Sequence, residues 1–548
     1  MTRKLSPLLL VVGVLWAAPA SAQTSSRTPR TPNSESKEGA VQAEIFMSAF
    51  QEIFRRHVGA FSDSTLWAMA LQGLVESLDD PYAAVFTPSE VEQFDEDNTG
   101  NYTGIGVQIT ELNDRITVTK VFRQTPADQA GLVEGDVIVG VNQHNATDWT
   151  TAMASDSIRG RAGTNVRVTI ERPGFVRPLP FTLTRTQVHV PAVTADVIDG
   201  TKVGYVVLDR VARGAAEEVD SVLRQLDASD GLIIDLRRNP GGFLDESLML
   251  SELFLSPGQK LASLQSRAVG KTDGSTEESW ADRFPARIPD APIIVLVDEY
   301  TASAAEIVTG ALQDHDRALV MGQRTFGKGV VQSVLDLPYG HKLRITTGSW
   351  HTPLGRTLHR NRDEQGVPLA EDPESLPTVS TAAGRRLVAG GGIFPDVEMK
   401  DDTLKQKERE FLEQTAEKEI PLVVRLSEFS FDEAQQLRTA GQEPTLREAS
   451  FTAFLDKLRS EGAPGELLDD PVVRDYLAWR LRGMVADRMD RPGSPTLGVS
   501  VRNRMERDPV LSEAVRLLQG ARTQGDLYAA AASHRPARGS TGGTSEHR

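Results

Sequence analysis

Two short segments of this chain hold residues that could do chemistry together. The first, residues 301–306, contains Ser303, and the second, residues 325–332, contains Lys328. A serine hydroxyl becomes an effective nucleophile when a neighbouring base takes its proton, and a neutral lysine can be that base. Such a pair needs no histidine, metal or cofactor, so we expect none and predict hydrolysis through a covalent intermediate.

Lys328 can act as a base only if its surroundings lower its pKa. The usual lysine pKa of about 10.4 leaves roughly one neutral side chain in a few thousand at pH 7, and lowering it by about 3 units costs ~4 kcal/mol. Burial in an apolar pocket is the usual means, and Gly327 and Gly329 would let the backbone turn the ammonium inward. The apolar neighbours able to line that pocket are Phe326, Val330 and Val331.

Each of these residues, taken singly, has a more common structural explanation. Ser303 followed three residues later by Glu306 fits a capping box, and a serine at a helix start is most often only a cap. Lys328 alone would more often be a solvated surface charge. A hydrolase with a histidine base is a further alternative, but the nine histidines are scattered and form no His-Glu-x-x-His run. His315 is expected at the surface, beyond the helix that Ser303 begins.

Two backbone segments could stabilise the oxyanion of an acyl-transfer intermediate. Because Ser303 begins a predicted helix, the N–H of Ala304 would point at the reacting oxygen, aided by the helix dipole. Gly241 and Gly242 follow a predicted parallel strand, at the edge where α/β sites tend to lie. An ordinary turn before a helix would show the same glycine pair.

Gln332 lies four residues after Lys328 and could orient the lysine. On an extended strand the two residues would be about 13 Å apart. The role therefore requires a bend or bulge, which Gly329 permits.

A second glycine-containing loop opens a predicted strand earlier in the chain. Successive N–H groups in such a loop can bind a carboxylate, and an adjacent strand edge can accept an extended peptide. By itself the Gly-Ile-Gly pattern is a weak signal and is more typical of a plain turn. The four residues of the loop are Gly104, Ile105, Gly106 and Val107.

The composition bounds the class of protein. The 548 residues carry a net charge of -16, with 39% hydrophobic and 25% charged residues. A chain of this length is expected to form several globular domains, and its acidity argues against nucleic-acid binding. The chain has no cysteine, which excludes a thiol nucleophile, cysteine zinc sites and lipidation at an N-terminal cysteine.

The N-terminus has the pattern of an export signal. Arg3 and Lys4 precede the apolar run Leu8–Ala18, which is too short for a bilayer span, and residues 20–22 (Ala-Ser-Ala) fit the cleavage rule. We predict a periplasmic protein with no stable membrane span after signal cleavage. An uncleaved anchor is the alternative, and an extracellular location is a further one.

Changes in apolar period divide the rest of the chain. Apolar residues recur at helical spacing after residue 41, at short strand spacing from about residue 98, and in a βαβ rhythm from about residue 202. The chain is therefore predicted to be multidomain α+β, with a largely parallel sheet in its core. The predicted segments are a signal peptide (1–22), a flexible linker (23–40), a helical N-terminal module (41–97), a β module (98–187), an α/β core (188–400), a helical C-terminal region (401–530) and a disordered tail (531–548).

The combination of motifs resembles the carboxy-terminal processing (tail-specific) proteases, which are exported serine peptidases with a PDZ domain ahead of an α/β core of the ClpP/crotonase-like type. The resemblance covers about residues 41–399. The matching motifs are residues 77–82, 102–107, 125–132, 135–136, 235–242, 301–306, 325–332, 351–356 and 392–397.

This resemblance implies roles for the candidate residues. Ser303 would be the nucleophile, Lys328 the general base and Gln332 its orienting partner. Ala304 and the Gly241–Gly242 segment would form the oxyanion hole, and the β module, as a PDZ domain, would capture an exposed and often apolar C-terminal tail of a protein substrate. A homo-oligomer or a periplasmic activator protein is a further expectation.

Two parts of the chain depart from the family pattern. Residues 361–392 are longer and more polar than the usual link, and the helical region after residue 400 falls outside the shared core. A rival function from another class is a non-catalytic, PDZ-bearing adaptor that only binds peptides, which the presence of Ser303, Lys328 and Gln332 disfavours.

Overall fold

A computed structural model describes most of the chain. The described residues are 14–15, 34–59, 61–122, 124–172, 175–198, 200–226, 228–267, 275–363, 367–369, 371–372, 375–400, 404–489 and 497–532. The predicted signal peptide (apart from residues 14–15), most of the predicted linker and residues 533–548 of the predicted tail lie outside them. Within the described part, no helix is both long enough and apolar enough to cross a bilayer.

The N-terminal module is mainly helical, as predicted. Its third helix begins with a capping box, in which Thr87 and Glu90 satisfy each other's backbone N–H groups, and ends at Gly100 in the left-handed conformation. The first helix begins seven residues earlier than the predicted module. Strand β1 (Val14–Leu15) lies within the predicted signal peptide, and the elements of the module are α1 (Ser34–Arg56), α2 (Asp63–Glu76), β2 (Ala84–Phe86) and α3 (Pro88–Thr99).

The β module is a compact, twisted sheet around its own apolar core. Its strand order is β4-β5-β6-β8-β9, with β7 on β6, while β3 and β10 form a separate antiparallel ribbon where the chain enters and leaves the module. The elements are β3 (Asn101–Gly104), β4 (Val107–Leu112), β5 (Arg115–Val121), α4 (Pro126–Ala130), β6 (Val137–Val141), β7 (His144–Asn145), α5 (Thr151–Ile158), β8 (Asn165–Glu171), β9 (Leu179–Thr184) and β10 (Thr186–His189).

The core contains the predicted parallel sheet. Two of its strands are apolar runs buried along their whole length, as expected when both faces of a parallel sheet are covered. Three helices pack on one face. The elements are β11 (Val193–Val197), β12 (Val203–Leu208), α6 (Ala215–Leu223), β13 (Gly231–Asp235), α7 (Leu244–Glu252), β14 (Lys260–Arg267), β15 (Ser275–Ala281), β16 (Ile293–Val297), α8 (Ala304–Asp314), β17 (Leu319–Gly322), β18 (Val330–Asp336), β19 (Lys342–His351), β20 (Thr378–Ser380), β21 (Arg386–Val388) and β22 (Val397–Glu398).

The core strands form two larger sheets. The parallel sheet has the order β11-β12-β13-β16-β17-β22, with β11 antiparallel to β12 at its edge. The second sheet has the order β1-β18-β19-β14-β15, and β2 of the N-terminal module adds to it by pairing with β19. The N-terminal module is therefore hydrogen-bonded to the strand next to the lysine segment. The predicted polar insertion at 361–392 contains the small hairpin of β20 and β21.

The region after residue 400 is helical, as predicted, and covers two different surfaces. Helices α14–α16 contribute to the apolar core on the second face of the parallel sheet, and α9–α13 share a separate core. The elements are α9 (Gln406–Glu417), α10 (Leu422–Thr439), α11 (Glu448–Ser460), α12 (Gly465–Leu468), α13 (Pro471–Met489), α14 (Leu497–Met505), α15 (Pro509–Gly520) and α16 (Gln524–Ala532).

Candidate active site

Ser303 lies on a sharp connection between β16 and α8. Its backbone has φ +54° and ψ -117°, an uncommon conformation for a residue with a side chain, and it is only 4% exposed. Its hydroxyl makes no capping hydrogen bond to the first turn of α8. The Glu306 half of a capping box is present, because Glu306 Oε2 accepts the Ser303 N–H at 2.8 Å, so the cap rests on the glutamate rather than on the serine hydroxyl. Backbone strain of this kind is concentrated at functional sites.

Glu306 joins the serine segment to the lysine segment. Its Oε2 accepts the backbone N–H groups of Ser303 and Lys328, both at 2.8 Å. Its Oε1 accepts the hydroxyl of Thr325 at 2.6 Å and the N–H of Gly327 at 2.8 Å. One fully buried carboxylate therefore fixes the backbones of the nucleophile and the candidate base to each other.

The side chain of Lys328 is fully buried. Its Nζ lies 4.7 Å from the centre of the Tyr82 ring and has no hydrogen-bond partner in the described part of the chain. The pKa of Lys328 is lowered to about 7, mainly by burial and also by the nearby Arg344 cation, against the opposing effect of Glu306 and Asp80. A substantial fraction of this amine is therefore neutral near pH 7.

The pocket around the lysine differs from the one predicted. Its aromatic wall is Tyr82, from the segment between α2 and β2, whereas the ring of Phe326 stacks with the Arg362 guanidinium at 3.5 Å. Local sequence could indicate that the lysine is buried but not that a residue 246 positions earlier covers it. The only sequence signal for Tyr82 was its place in the motif at residues 77–82.

Gln332 lies in β18, four residues after the lysine, and its side chain is fully buried. A register shift in the pairing of β18 with β19 falls between Val331 and Gln332, so the bulge that the proposed role requires is present. The side-chain Nε2 donates to Thr346 Oγ1 at 3.2 Å, while Oε1 is buried without a partner among the described residues. This oxygen is a free acceptor beside the lysine segment.

Asp80 holds the strand behind Gln332. Its carboxylate accepts the N–H of Thr346 at 3.0 Å and the Thr346 hydroxyl at 3.1 Å. Because that hydroxyl also accepts from Gln332, a polar chain runs from the N-terminal module to Gln332. Asp80, Thr346 and Glu306 are residues whose part in the site became evident only in the structure.

The glycine pair lies directly against the nucleophile. A Cβ on Gly241, which has φ +98°, would lie 2.8 Å from Ser303 Cβ and 2.9 Å from Ala304 N. The N–H of Gly241 is donated to Asn239 Oδ1 at 2.9 Å, and the N–H of Ala302 is donated to Asn239 O at 2.9 Å.

Two N–H groups near the nucleophile are free to receive an oxyanion. In the described part of the chain, no acceptor is found for the N–H of Ala304 or of Gly242. The unpaired backbone donors of the serine and glycine segments are therefore Ala304 and Gly242, and Gly241 allows the two segments to approach closely.

The glycine loop of the β module also has the predicted position. Gly104, Ile105 and Gly106 are buried at the start of β4, and Val107 is its first residue. Gly106 has φ +86°, and a Cβ there would lie 2.2 Å from Thr125, so only glycine fits. Helix α5 lies beside β4, which gives this loop the strand-and-helix surroundings of a peptide groove.

His315 lies at the end of α8 but is half-buried rather than on the surface, and its Nε2 is 2.7 Å from Lys260 O. It is the twelfth residue after Ser303 and lies at the opposite end of α8 from the serine. In the residues the structure describes, no group of three or more metal-binding side chains is found.

Comparison with known proteins gives consistent results. The family profile of peptidase family S41 matches residues 202–368, and that of the PDZ domain matches residues 103–179. A carboxy-terminal-processing protease of Bartonella bacilliformis is 31% identical over 382 residues, 68% of this chain and 82% of that protein. A probable CtpA-like serine protease of Staphylococcus epidermidis is 30% identical over 312 residues, 57% of this chain and 62% of that protein. A solved structure of a photosystem II D1 C-terminal processing protease shares 26% identity with a TM-score of 0.32, covering 61% of this chain and 94% of that one.

The family resemblance predicted from the motifs is confirmed by these matches, as is the multidomain α+β fold with a PDZ domain ahead of a peptidase core. The chain belongs to peptidase family S41 and is a serine peptidase of the carboxy-terminal-processing type that carries a PDZ domain.

Proposed function

We propose that this protein is an exported endopeptidase that cleaves proteins near their C-terminal tails with a dyad of Ser303 and Lys328. The neutral lysine takes the hydroxyl proton as the serine oxygen attacks the scissile carbonyl carbon. The resulting oxyanion is bound by the free N–H groups of Ala304 and of Gly242, in the Gly241–Gly242 segment. The protonated lysine then gives its proton to the leaving amine as the C–N bond breaks, which leaves an acyl-enzyme.

Water completes the cycle in the same site. Lys328, neutral again, takes a proton from water as the hydroxide attacks the ester carbonyl, and returns it to the Ser303 oxygen as the acid product leaves. Gln332 Oε1 orients the lysine amine during these transfers. The observation that carries the proposal is the fully buried Lys328, with a pKa lowered to about 7, tied by Glu306 to the backbone of Ser303.

The PDZ domain would supply the substrate. Its Gly104–Val107 loop offers backbone N–H groups to a terminal carboxylate, and the edge of β4 can pair with the residues that precede it. The segment bounds predicted above belong to the same proposal. Residues 1–22 would act as a cleaved signal peptide, so the mature enzyme would be periplasmic. N-terminal sequencing of the protein from the periplasmic fraction should begin at Gln23.

The purified mature enzyme, incubated with an unfolded protein that ends in an apolar tail, tests the mechanism. Ser303→Ala and Lys328→Ala should each abolish cleavage, while the fold is retained by circular dichroism. A histidine base predicts instead that Lys328→Ala keeps most of the activity. If the wild-type protein binds the tail but never cleaves the substrate, the adaptor function replaces this mechanism.

A further inference from the structure

Helix α10 of the C-terminal region is hydrogen-bonded to the PDZ domain. Arg438 forms an ion pair with Glu134, and Gln435 Nε2 donates to Glu134 O at 3.2 Å. At the other end of the contact, the backbone N–H of Asn113 donates to Glu428 Oε1 at 2.9 Å. Residues 300 positions apart in the chain therefore meet at three hydrogen-bonded points.

The helical side of this contact is held rigidly. Arg438 also donates to the backbone oxygen of Arg488 on α13, and Arg488 in turn donates to Ser430 Oγ on α10 at 2.8 Å. Glu428 is only 5% exposed, and its second oxygen is paired with Arg425 at 2.8 Å. Bonds within the helical region thus already hold Arg438 and Glu428 in position. This lowers the entropy cost of their contacts with the PDZ domain.

The PDZ side is shaped for the approach of the helix. Gly135, in the loop between α4 and β6, has φ +95°, and a Cβ on it would lie 2.3 Å from Gln435 Nε2. The residue is therefore a glycine both for its backbone conformation and for the closeness of α10.

The position of the contact leaves the peptide groove free. Asn113 follows the last residue of β4, whereas the loop Gly104–Val107 precedes and begins that strand. The helix therefore holds one end of β4 while the other end is available to a substrate tail. The remaining described ties of the PDZ domain to the rest of the chain include the ion pair of Arg159 with Glu96 on α3 and the contact of His189 Nε2 with Glu218 Oε1 on α6 at 2.8 Å.

We propose that α10 is an intramolecular docking site that holds the PDZ domain over the peptidase core, so that delivery of a captured tail to Ser303 depends on the region after residue 400. This inference rests on the proposed function. A docked PDZ domain keeps the captured tail at a high effective concentration near the core, and a released one does not. The docking therefore affects KM for substrates that use the PDZ groove and spares short peptides that do not.

A charge-swap experiment tests the docking in the full mature enzyme. Glu134→Arg and Arg438→Glu should each raise KM for a tail-bearing substrate by about threefold to tenfold, with kcat on a short peptide unchanged. The double variant, which restores an ion pair, should recover most of the loss. Arg167→Glu, a charge reversal at an exposed residue of β8 that takes part in none of these contacts, is the matched control and should leave KM unchanged.

Hydrogen exchange gives a readout that does not depend on catalysis. The amide of Asn113 should exchange faster in Glu134→Arg and slower again in the double variant. The docking proposal is wrong if that exchange rate and KM are unchanged in the single variants, if the swap fails to restore them, or if Arg167→Glu has the same effect. If the wild-type enzyme cleaves nothing, the exchange rates still decide whether α10 holds the PDZ domain, and only the proposed function fails.

Discussion

At the scale of single residues, the site combines an unpaired amine with a paired carboxylate. Lys328 Nζ is buried without a hydrogen-bond partner in the described structure, and that lack of a partner keeps its neutral form accessible. Glu306 is equally buried, and burial raises its pKa, but it accepts four hydrogen bonds. The carboxylate therefore serves geometry rather than proton transfer, and we regard Glu306 as a positioning residue.

The pH dependence of the enzyme should report on Lys328. Because the base must be neutral, kcat/KM is expected to rise about tenfold per pH unit below a limb near pH 7 and to level off above it. Arg344 lowers the pKa of this lysine, so Arg344→Gln should raise that pKa and move the limb to higher pH. Rate profiles of the two enzymes on an uncharged peptide would measure the shift.

A matched variant separates this effect from general charge loss. Arg283 is a surface residue paired with Glu252 and is not among the charges that shift the pKa of Lys328, so Arg283→Gln should leave the limb where it is. A limb near pH 6.5 that does not respond to Arg344→Gln would point to a histidine and contradict the lysine assignment.

At the scale of elements, the loops that follow β13 and β16 are in contact with each other. The loop after β13 carries Gly241 and the loop after β16 carries Ser303, and both follow the carboxyl ends of neighbouring parallel strands. This is the edge of an α/β sheet where sites are expected. The close approach depends on a glycine because a side chain at 241 would overlap both Ser303 and the backbone of Ala304.

Gly241→Ala should therefore damage the site more than the fold. Its Cβ would lie 2.7 Å from Ala302 O, so the serine loop must move, and we expect kcat to fall by about 100-fold or more, as for loss of an oxyanion donor. Gly258→Ala is a fair control because Gly258 also has positive φ (+88°) but open space around it. That control should lose about 1 kcal/mol of stability and keep its kcat. Equal kcat losses in the two variants would show that backbone strain, and not the approach to Ser303, is responsible.

The elements themselves were largely predictable, and their long-range partners were not. The apolar run Ile293–Val297 and the helix after Ser303 follow from local pattern, because a buried parallel strand and a helix start each have a sequence signature. The placement of Tyr82 over Lys328 does not follow from local pattern, since it depends on β2 pairing with β19 across about 260 residues. The same holds for Glu306, which local pattern assigned to a helix cap and the structure shows as the link between two segments.

At the scale of the whole molecule, the N-terminal module presents an unusual surface. The predicted apolar stripes are helical, but most of their side chains face outward rather than into a core. Monomers rarely expose apolar patches beyond about 300–600 Å². The large apolar residues of this module that are 37% or more exposed are Val41, Ile45, Phe46, Met47, Ile53, Phe54, Val58, Phe61, Met69, Leu71, Leu74 and Leu78.

We expect the mature enzyme to self-associate through α1 and α2. If about two thirds of the exposed area of these twelve residues is covered, the buried area is roughly 800 Å² per copy, close to what each partner contributes to a standard interface. A second copy brings the same apolar surface and so covers both at once. Sedimentation velocity at micromolar concentration should show a dimer or a larger assembly, and Phe54→Glu with Leu74→Glu should shift it to monomer.

Self-association through α1 and α2 should also affect the active site, because the segment after α2 carries both Asp80 and Tyr82. Loosening α2 would disturb the ring over Lys328 Nζ and the Asp80 bonds to Thr346, so the monomeric double variant should lose kcat by about tenfold or more. Val423→Glu, at a valine that is 71% exposed on α10, introduces the same charge elsewhere and should change neither mass nor kcat. A wild-type enzyme that sediments as a monomer and is fully active would contradict both the interface and its coupling to the dyad.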